Sequence, residues 1–179
     1  MHGMSERDGA RAQVKLFIVI YAVVANLLLV DAATKEIAAR CLRGAAAIPV
    51  IPGLFNLAYV ENRGCAWGMF QGQVWPLAVF GLAALAVLIW KRKSVFGQGK
   101  VAVTAECLLY AGIIGNLIDR LFRGYVIDFF DFHWGASHFP CFNFADTFIC
   151  VAAGLMILMS FCSSGKAAKP RVGQDSARL

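Results

Sequence analysis

Apolar residues in this chain gather into four long stretches with polar segments between them. The first runs from Leu16 to Val30 and continues with few charges to about Ala39. The second, Val74–Trp90, has 17 residues and no charge; the third, Val101–Ile118, is interrupted only by Glu106; the fourth covers about Phe144–Cys162. A helix needs about 20 mostly apolar residues to cross the ~30 Å hydrocarbon core of a bilayer. The second stretch is short by that measure, and Gln73 and Lys91 extend it into the interface. The pattern predicts four transmembrane helices in an all-α membrane protein. No small-x-small cleavage site lies directly behind the first stretch, so it is read as a retained helix.

The segments between the helices are not uniform. The 31–73 loop is too long and too apolar for a simple connector. Within it, Ile48–Val60 carries Pro49, Pro52 and Gly53 and then Phe55-Asn56-Leu57-Ala58-Tyr59-Val60, which favours extended structure. Gly64 and Gly68 are expected to turn the chain back towards the membrane. The 125–134 segment, YVIDFFDFHW, alternates enough to be extended as well. A small β-rich region on the outer membrane face follows. The ends, 1–15 and 163–179, lack apolar periodicity and are expected to be irregular cytoplasmic flanks of a single domain over 16–162.

Composition agrees with this picture. The chain has 179 residues, 59% hydrophobic and 16% charged, with a mean hydropathy of +0.64. A soluble domain is roughly 45–50% apolar and about a quarter charged. Intrinsic disorder and an ordinary soluble domain are thereby excluded. Six cysteines without a CxxC pair do not make a disulfide scaffold. Cys107, Cys150 and Cys162 fall inside helices, where thiols behave as small apolar groups. Among Cys41, Cys65 and Cys141, at most one disulfide is expected. His133 and His138 are too few for a metal site, and no cofactor is expected.

The net charge of +6 raises the question of nucleic acid, but its distribution points to lipid instead. Of the 17 basic residues, 11 lie in 1–15, 91–100 and 163–179, against 6 in the two longer loops. Basic residues mark the cytoplasmic side, where anionic leaflet lipids attract them. Both termini are therefore expected in the cytoplasm and the two long loops outside.

Polar groups inside apolar helices tend to face the bundle interior and to serve function. The third helix places Gly112, Gly115, Asn116 and Asp119 on one stripe, followed by Arg120; the fourth opens with Asn143 and Asp146 and continues with Cys150 and Gly154. Close helix packing accounts for the glycines, but packing does not call for a carboxylic acid such as Asp146. Two carboxyls in a partly dry site cannot easily both ionise, so one retains a proton. Such a pair supplies the acid and base that peptide hydrolysis by water requires. Asp119, Asp128 and Asp131 are the possible partners of Asp146. Spacing does not decide among them, though it leans to Asp128, because Asp119 suits a structural tie from helix end to loop and Asp131 should face away. Glu106 is expected to snorkel to the cytoplasmic interface. Asp31 and Lys35 form an i, i+4 pair where the first helix leaves the membrane, and the ammonium could meet a lipid phosphate there. A proton-coupled transporter and a structural membrane subunit are the rival classes. Against the first, the acids cluster at one membrane face; the second leaves Asp146 without a reason.

Taken in order, Asp31-x-x-x-Lys35, Asn62-Arg63-Gly64-Cys65-Ala66-Trp67-Gly68, Gly112-Ile-Ile-Gly115-Asn116-Leu-Ile-Asp119-Arg120, Val126-Ile127-Asp128-Phe129 and Phe142-Asn143-Phe144-Ala145-Asp146 resemble bacterial lipoprotein signal peptidase, signal peptidase II, over about residues 16–162. Ala111 departs from the second glycine many relatives carry. The resemblance implies a membrane-embedded aspartic peptidase of the bacterial inner membrane, acting as a monomer on lipid-modified prolipoproteins. It implies that Asp128 and Asp146 are catalytic and that Asn116, Arg120, Asn143 and Ala145 shape the pocket. Asp31, Lys35, Asn62 and Gly112 would lie nearer substrate. Trp67 and Phe129 are expected to close over the site.

Overall fold

The computed structural model describes residues 2–97 and 99–167. Five helices and a small sheet follow one another as α1 (His2–Leu42), β1 (Ile48–Ile51), β2 (Phe55–Asn62), a 3-10 turn (Ala66–Gly68), α2 (Val74–Trp90), α3 (Arg92–Val95), α4 (Lys100–Phe122), β3 (Val126–Trp134), β4 (Ser137–His138) and α5 (Phe144–Ala167). Three stretches, Arg11–Leu42, Lys100–Phe122 and Phe144–Cys162, are long and apolar enough to cross a membrane. The second apolar stretch forms a shorter helix of 17 residues, Val74–Trp90.

Both polar ends differ from expectation. The chain is already helical at His2, and α5 runs on to Ala167. Of the irregular tail expected over 163–179, residues 168–179 lie outside the described residues. The first long loop is also shorter than expected, because α1 carries through Asp31 and Lys35 to Leu42. Its 32-residue apolar part is about 48 Å long at 1.5 Å per residue, well beyond a ~30 Å core. Its last turns give the sheet a support, with Ala38 and Leu42 packed against Ile127 and Phe129.

α4 is the central helix and touches α1, α2 and α5. Its glycines explain how closely. A Cβ on Gly112 would lie 2.5 Å from the Ala145 carbonyl oxygen and 2.6 Å from Ile149, and one on Gly115 would lie 2.6 Å from Asp31 Oδ2. Gly154, placed in the same packing class by sequence, has open space where its Cβ would be. One apolar core lies within the bundle around Ile20, Val24, Phe96, Tyr110, Ala111 and Phe148. A second, formed by Ala38, Leu42, Ile127 and Phe129, fastens the sheet to the end of α1. Phe129 is thus a core residue under the sheet, 4% exposed, and not part of a cover over the site.

The sheet is antiparallel in the order β1-β2-β3-β4. Leu57 pairs with Phe130 but Val60 with Asp128, so β2 carries one extra residue there. A bulge of this kind reverses which face the following residues occupy. Asn56 and Asn62, six apart, would otherwise share a face. The bulge sends Asn62 to Asp128 on one face and leaves Asn56 with Asp131 on the other.

Candidate active site

Asn143 sits at the junction of all the polar elements and is fully buried. It precedes α5, and its side chain Oδ1 accepts from the Asp146 backbone N–H at 2.9 Å, while its own backbone N–H donates to Asp146 Oδ2 at 3.2 Å. This reciprocal pairing of the residue before a helix with the third residue inside it satisfies donors that a helix N-terminus leaves open. Asp31 of α1 satisfies another by accepting from the Ala145 N–H at 2.9 Å. Asp146 is therefore fixed by the local geometry of a helix start.

The same Asn143 reaches β3. Its Nδ2 donates to Asp128 Oδ1 at 2.7 Å, and Asn62 donates to Asp128 Oδ2 at 2.9 Å. One asparagine thereby holds two carboxyls, one through its side chain and the other through its backbone. Asp128 is 1% exposed. Burial, and after it the negative charge of Asp146, push the Asp128 carboxyl up to about 7, against the hydrogen bonds from Asn62 and Asn143.

Behind the carboxyls lies a buried ionic network. Asn116 of α4 donates to Asp146 Oδ1 at 2.7 Å and accepts from Lys35 Nζ at 3.1 Å. The ammonium also meets Asp31 Oδ2 at 2.8 Å and Asp119 Oδ2 at 3.1 Å. Lys35 is 1% exposed and enclosed by these three residues, so it does not present itself to a lipid phosphate as expected. Asp119 joins Lys35 to the end of α4 and the start of β3, accepting from Arg123 Nε at 3.1 Å and from the Ile127 N–H at 3.3 Å. Arg120 donates to the Gly64 carbonyl at 3.1 Å and so ties the 62–72 loop to α4. Gly64 is needed there, since a Cβ would lie 2.5 Å from the Met69 carbonyl oxygen.

A cavity of about 1200 Å³ opens between α2, α4 and α5, mostly apolar, with Phe70, Phe80, Leu109 and Ile149 on its walls and Asn116, Arg120 and Asp146 among its lining residues. Asp146 lines the cavity, whereas Asp128 is buried behind it. Phe70 has the left-handed φ of 56°, as does Trp67 at 62°, and such strain gathers in loops at functional sites. Trp67 is 69% exposed, with its ring edge-on to Phe139 at 5.6 Å. The contributions of Phe70, Gln71 and Gln73 to the cavity had no signal in the sequence, because no charge, motif or periodicity marks them.

Three candidates stand apart from this centre. Asp131 occupies the opposite face of β3, bonded to Asn56 at 3.0 Å and His138 at 2.6 Å. Burial would raise its carboxyl, but these two partners outweigh it and hold the group below the ordinary range. Glu106 does not snorkel; it is 1% exposed at the far end of α4, where Arg92 comes to it, with Nη2 2.8 Å from Oε2 and Nε bonded to Oε1. Cys41, Cys65 and Cys141 are not disulfide-bonded, so the one disulfide allowed for is not formed. Among the described residues no cluster of three or more His, Cys, Asp or Glu could hold a metal.

Comparison with known proteins places the chain in a family. The family model described as signal peptidase (SPase) II matches residues 23–162. Lipoprotein signal peptidase of Syntrophotalea carbinolica is 37% identical over 150 residues, covering 82% of this chain and 91% of that protein. The enzyme of the same name from Shewanella loihica is 40% identical over 152 residues, covering 82% and 88%. Two solved bacterial membrane enzyme structures share the fold. One has a TM-score of 0.71 at 26% identity, covering 87% of this chain and 94% of that one; the other has 0.67 at 28%, covering 79% and 92%. With a match across most of its length, from within the apolar part of α1 to the end of the apolar part of α5, the chain belongs to the signal peptidase II family of lipoprotein signal peptidases.

Proposed function

We propose that this protein is an aspartic endopeptidase that removes signal peptides from diacylglyceryl-modified bacterial prolipoproteins, cutting just before the lipid-modified cysteine. The observation that carries this reading is the pair of carboxyls, Asp128 and Asp146, held by one asparagine at the edge of an apolar cavity. A signal helix and its acyl chains need an apolar space that opens sideways, and the cavity between α2, α4 and α5 has that character.

Asp146, which lines the cavity beside Arg120, acts as the base; Asp128, buried and holding a proton near neutral pH, acts as the acid. Water gives a proton to Asp146 as its oxygen attacks the scissile carbonyl carbon, and the Asp128 proton passes to the carbonyl oxygen. The tetrahedral diol then collapses. Its C–N bond breaks, the leaving amine takes the proton from Asp146, and a diol hydroxyl returns one to Asp128. Both carboxyls end as they began, without a metal or cofactor. Asn116, Asn143 and Asn62 orient the carboxyls, and Ala145 and Gly112 keep α4 and α5 close enough for Asn116 to reach Asp146.

In this reading α2 is a fourth span, with exposed Trp75 and Trp90 near its two ends, as interfacial aromatics require. The peptidase unit is 16–162, a monomer in the bacterial inner membrane with both termini cytoplasmic and the site near the outer face. Purified full-length protein incubated with a lipidated prolipoprotein is expected to release a signal peptide, and to leave the unlipidated precursor intact. Equal cleavage of both, or of neither, would reject the proposal. For the topology, an impermeant thiol reagent applied outside should label Val50→Cys but not Ser94→Cys in a cysteine-free background; the reverse pattern would invert the orientation.

A further inference from the structure

A second cleft, of about 940 Å³, lies at the opposite end of the bundle from the sheet, between α1, α3 and the start of α4. It shares no residue with the cavity at Asp146. Its α1 wall is a single stripe, Leu16, Val19, Val23 and Leu27, at spacings of three and four residues, facing Val103 of α4. Leu16, Val19 and Val23 are 36%, 53% and 41% exposed, so the stripe is not covered by the protein.

Charge is confined to the mouth. Arg92, Lys93 and Lys100 line it, with no acid among the lining residues. Arg92 is already committed, its guanidinium lying 5.1 Å from the Phe17 ring centre and bonded to buried Glu106. The ion pairs of the described residues include neither Lys93 nor Lys100. Two exposed ammonium groups thus stand at the top of an apolar groove. From Leu16 to Leu27 the groove descends eleven residues, about 16 Å, close to half the ~30 Å hydrocarbon core and hence the depth of one leaflet.

We propose that this cleft binds one anionic phospholipid, its phosphate between Lys93 and Lys100 and an acyl chain along the α1–α4 groove. Charge complementarity selects the headgroup, and one-leaflet depth selects a lipid over a soluble phosphate. The site is separate from the peptidase centre, and its occupancy does not depend on the hydrolytic reading. A bound lipid fills the gap between α1 and α4 at the end where no sheet braces them.

The test uses the full-length protein, delipidated in a neutral detergent and titrated with phosphatidylglycerol, with bound lipid counted by native mass spectrometry. Wild type is expected to retain one phosphatidylglycerol in preference to phosphatidylcholine. An anionic surface favours each nearby lysine by about fivefold, so Lys93→Gln with Lys100→Gln should weaken retention about 30-fold. Val23→Trp, which fills the groove without altering charge, should also displace the lipid, while Lys91→Gln outside the cleft should not. Circular dichroism confirms that each variant is folded. Equal retention of phosphatidylcholine, displacement by glycerol phosphate as readily as by the lipid, or unchanged binding in the Lys93/Lys100 variant would each overturn the proposal.

Discussion

At one end of α4, Glu106 closes on a single guanidinium, that of Arg92. At the other, Lys35 is shared by Asp31, Asp119 and Asn116, and Asn116 passes on to Asp146. Both ends bury charge, yet their connections differ. The first joins α3 to α4, with its guanidinium also over the Phe17 ring of α1, and reaches no group that lines the cavity at Asp146. The second reaches from α1 through α4 to the start of α5 and ends on a carboxyl that lines the cavity. Replacing a buried ion pair by apolar residues is often neutral, whereas removing one partner is costly. Burial alone therefore does not mark a functional charge. What marks it is continuity with a group that can meet a substrate.

The largest expected effect lies at the end of the connected network. Asp128→Asn and Asp146→Asn should each lower kcat about 10³-fold, within the range of general acid–base catalysis. The double variant should be little worse than either single one, because the two act as a unit. Wild-type activity should fall as pH rises through about 7, where Asp128 loses the proton it donates. The stability sign follows the same shift. The folded carboxyl binds its proton more tightly than the unfolded one, so its contribution is complete in acid and declines as pH rises from about 4 to about 7. The stability difference between wild type and Asp128→Asn should accordingly move in the variant's favour between pH 5 and 8. Substantial turnover by either single variant would break the two-carboxyl reading.

Lys35→Met comes next. It leaves Asp31 and Asp119 buried without their shared cation, and a loss of about 3–5 kcal/mol is expected in denaturant unfolding. Because the ammonium is enclosed, any folded fraction should lose kcat more than it gains KM. The sequence expectation of a substrate-binding lysine gives the opposite split, so the kinetics decide between them. A fully stable variant with a raised KM would return Lys35 to the substrate.

Glu106→Gln probes the unconnected end. Arg92 has a fifth of its side chain exposed and can turn to the interface. The expected cost is about 1–3 kcal/mol of stability, with turnover per folded molecule unchanged. A fall in kcat there would mean that the two ends are coupled through α4. Asp131→Asn, on the far face of β3 with the half-exposed His138 as partner, should change stability by less than about 1 kcal/mol and leave kcat unaltered.

Much of this architecture is legible in the sequence because bilayer burial imposes a simple rule. Long apolar runs must become helices, since no water is present to satisfy the backbone. Strands over 48–60 and 125–134 were legible from prolines, aromatics and alternation. The full length of α1 was not, because 31–73 counts as a loop by its charges although Asp31 and Lys35 have helical spacing, and only the sheet packed on that extension shows the helix reaching Leu42. Glu106 read as an interfacial acid because its partner, Arg92, belongs to a different helix and is not marked as such by spacing.

The residues of the centre divide in the same way. Residue type and position bring out Asp146 as a carboxylic acid that packing does not require and lean to Asp128 as its partner without deciding it, while Asn116 and Asn143 enter the pocket through the order of motifs that resembles the family. Only the tertiary structure decides how they meet. The extra residue in β2 turns Asn62 and Asn56 to opposite faces, which separates Asp128 from Asp131 more firmly than alternation along one strand could. Gly112 and Gly115 let α4 approach α5 and Asp31 closely, so that Asn116 reaches both Lys35 and Asp146. A sequence determines which groups are available and which face of a helix they share. Their distances, burial and protonation follow from contacts between segments as much as 114 residues apart, such as Asp31 with Ala145, and these arise only when the chain is packed.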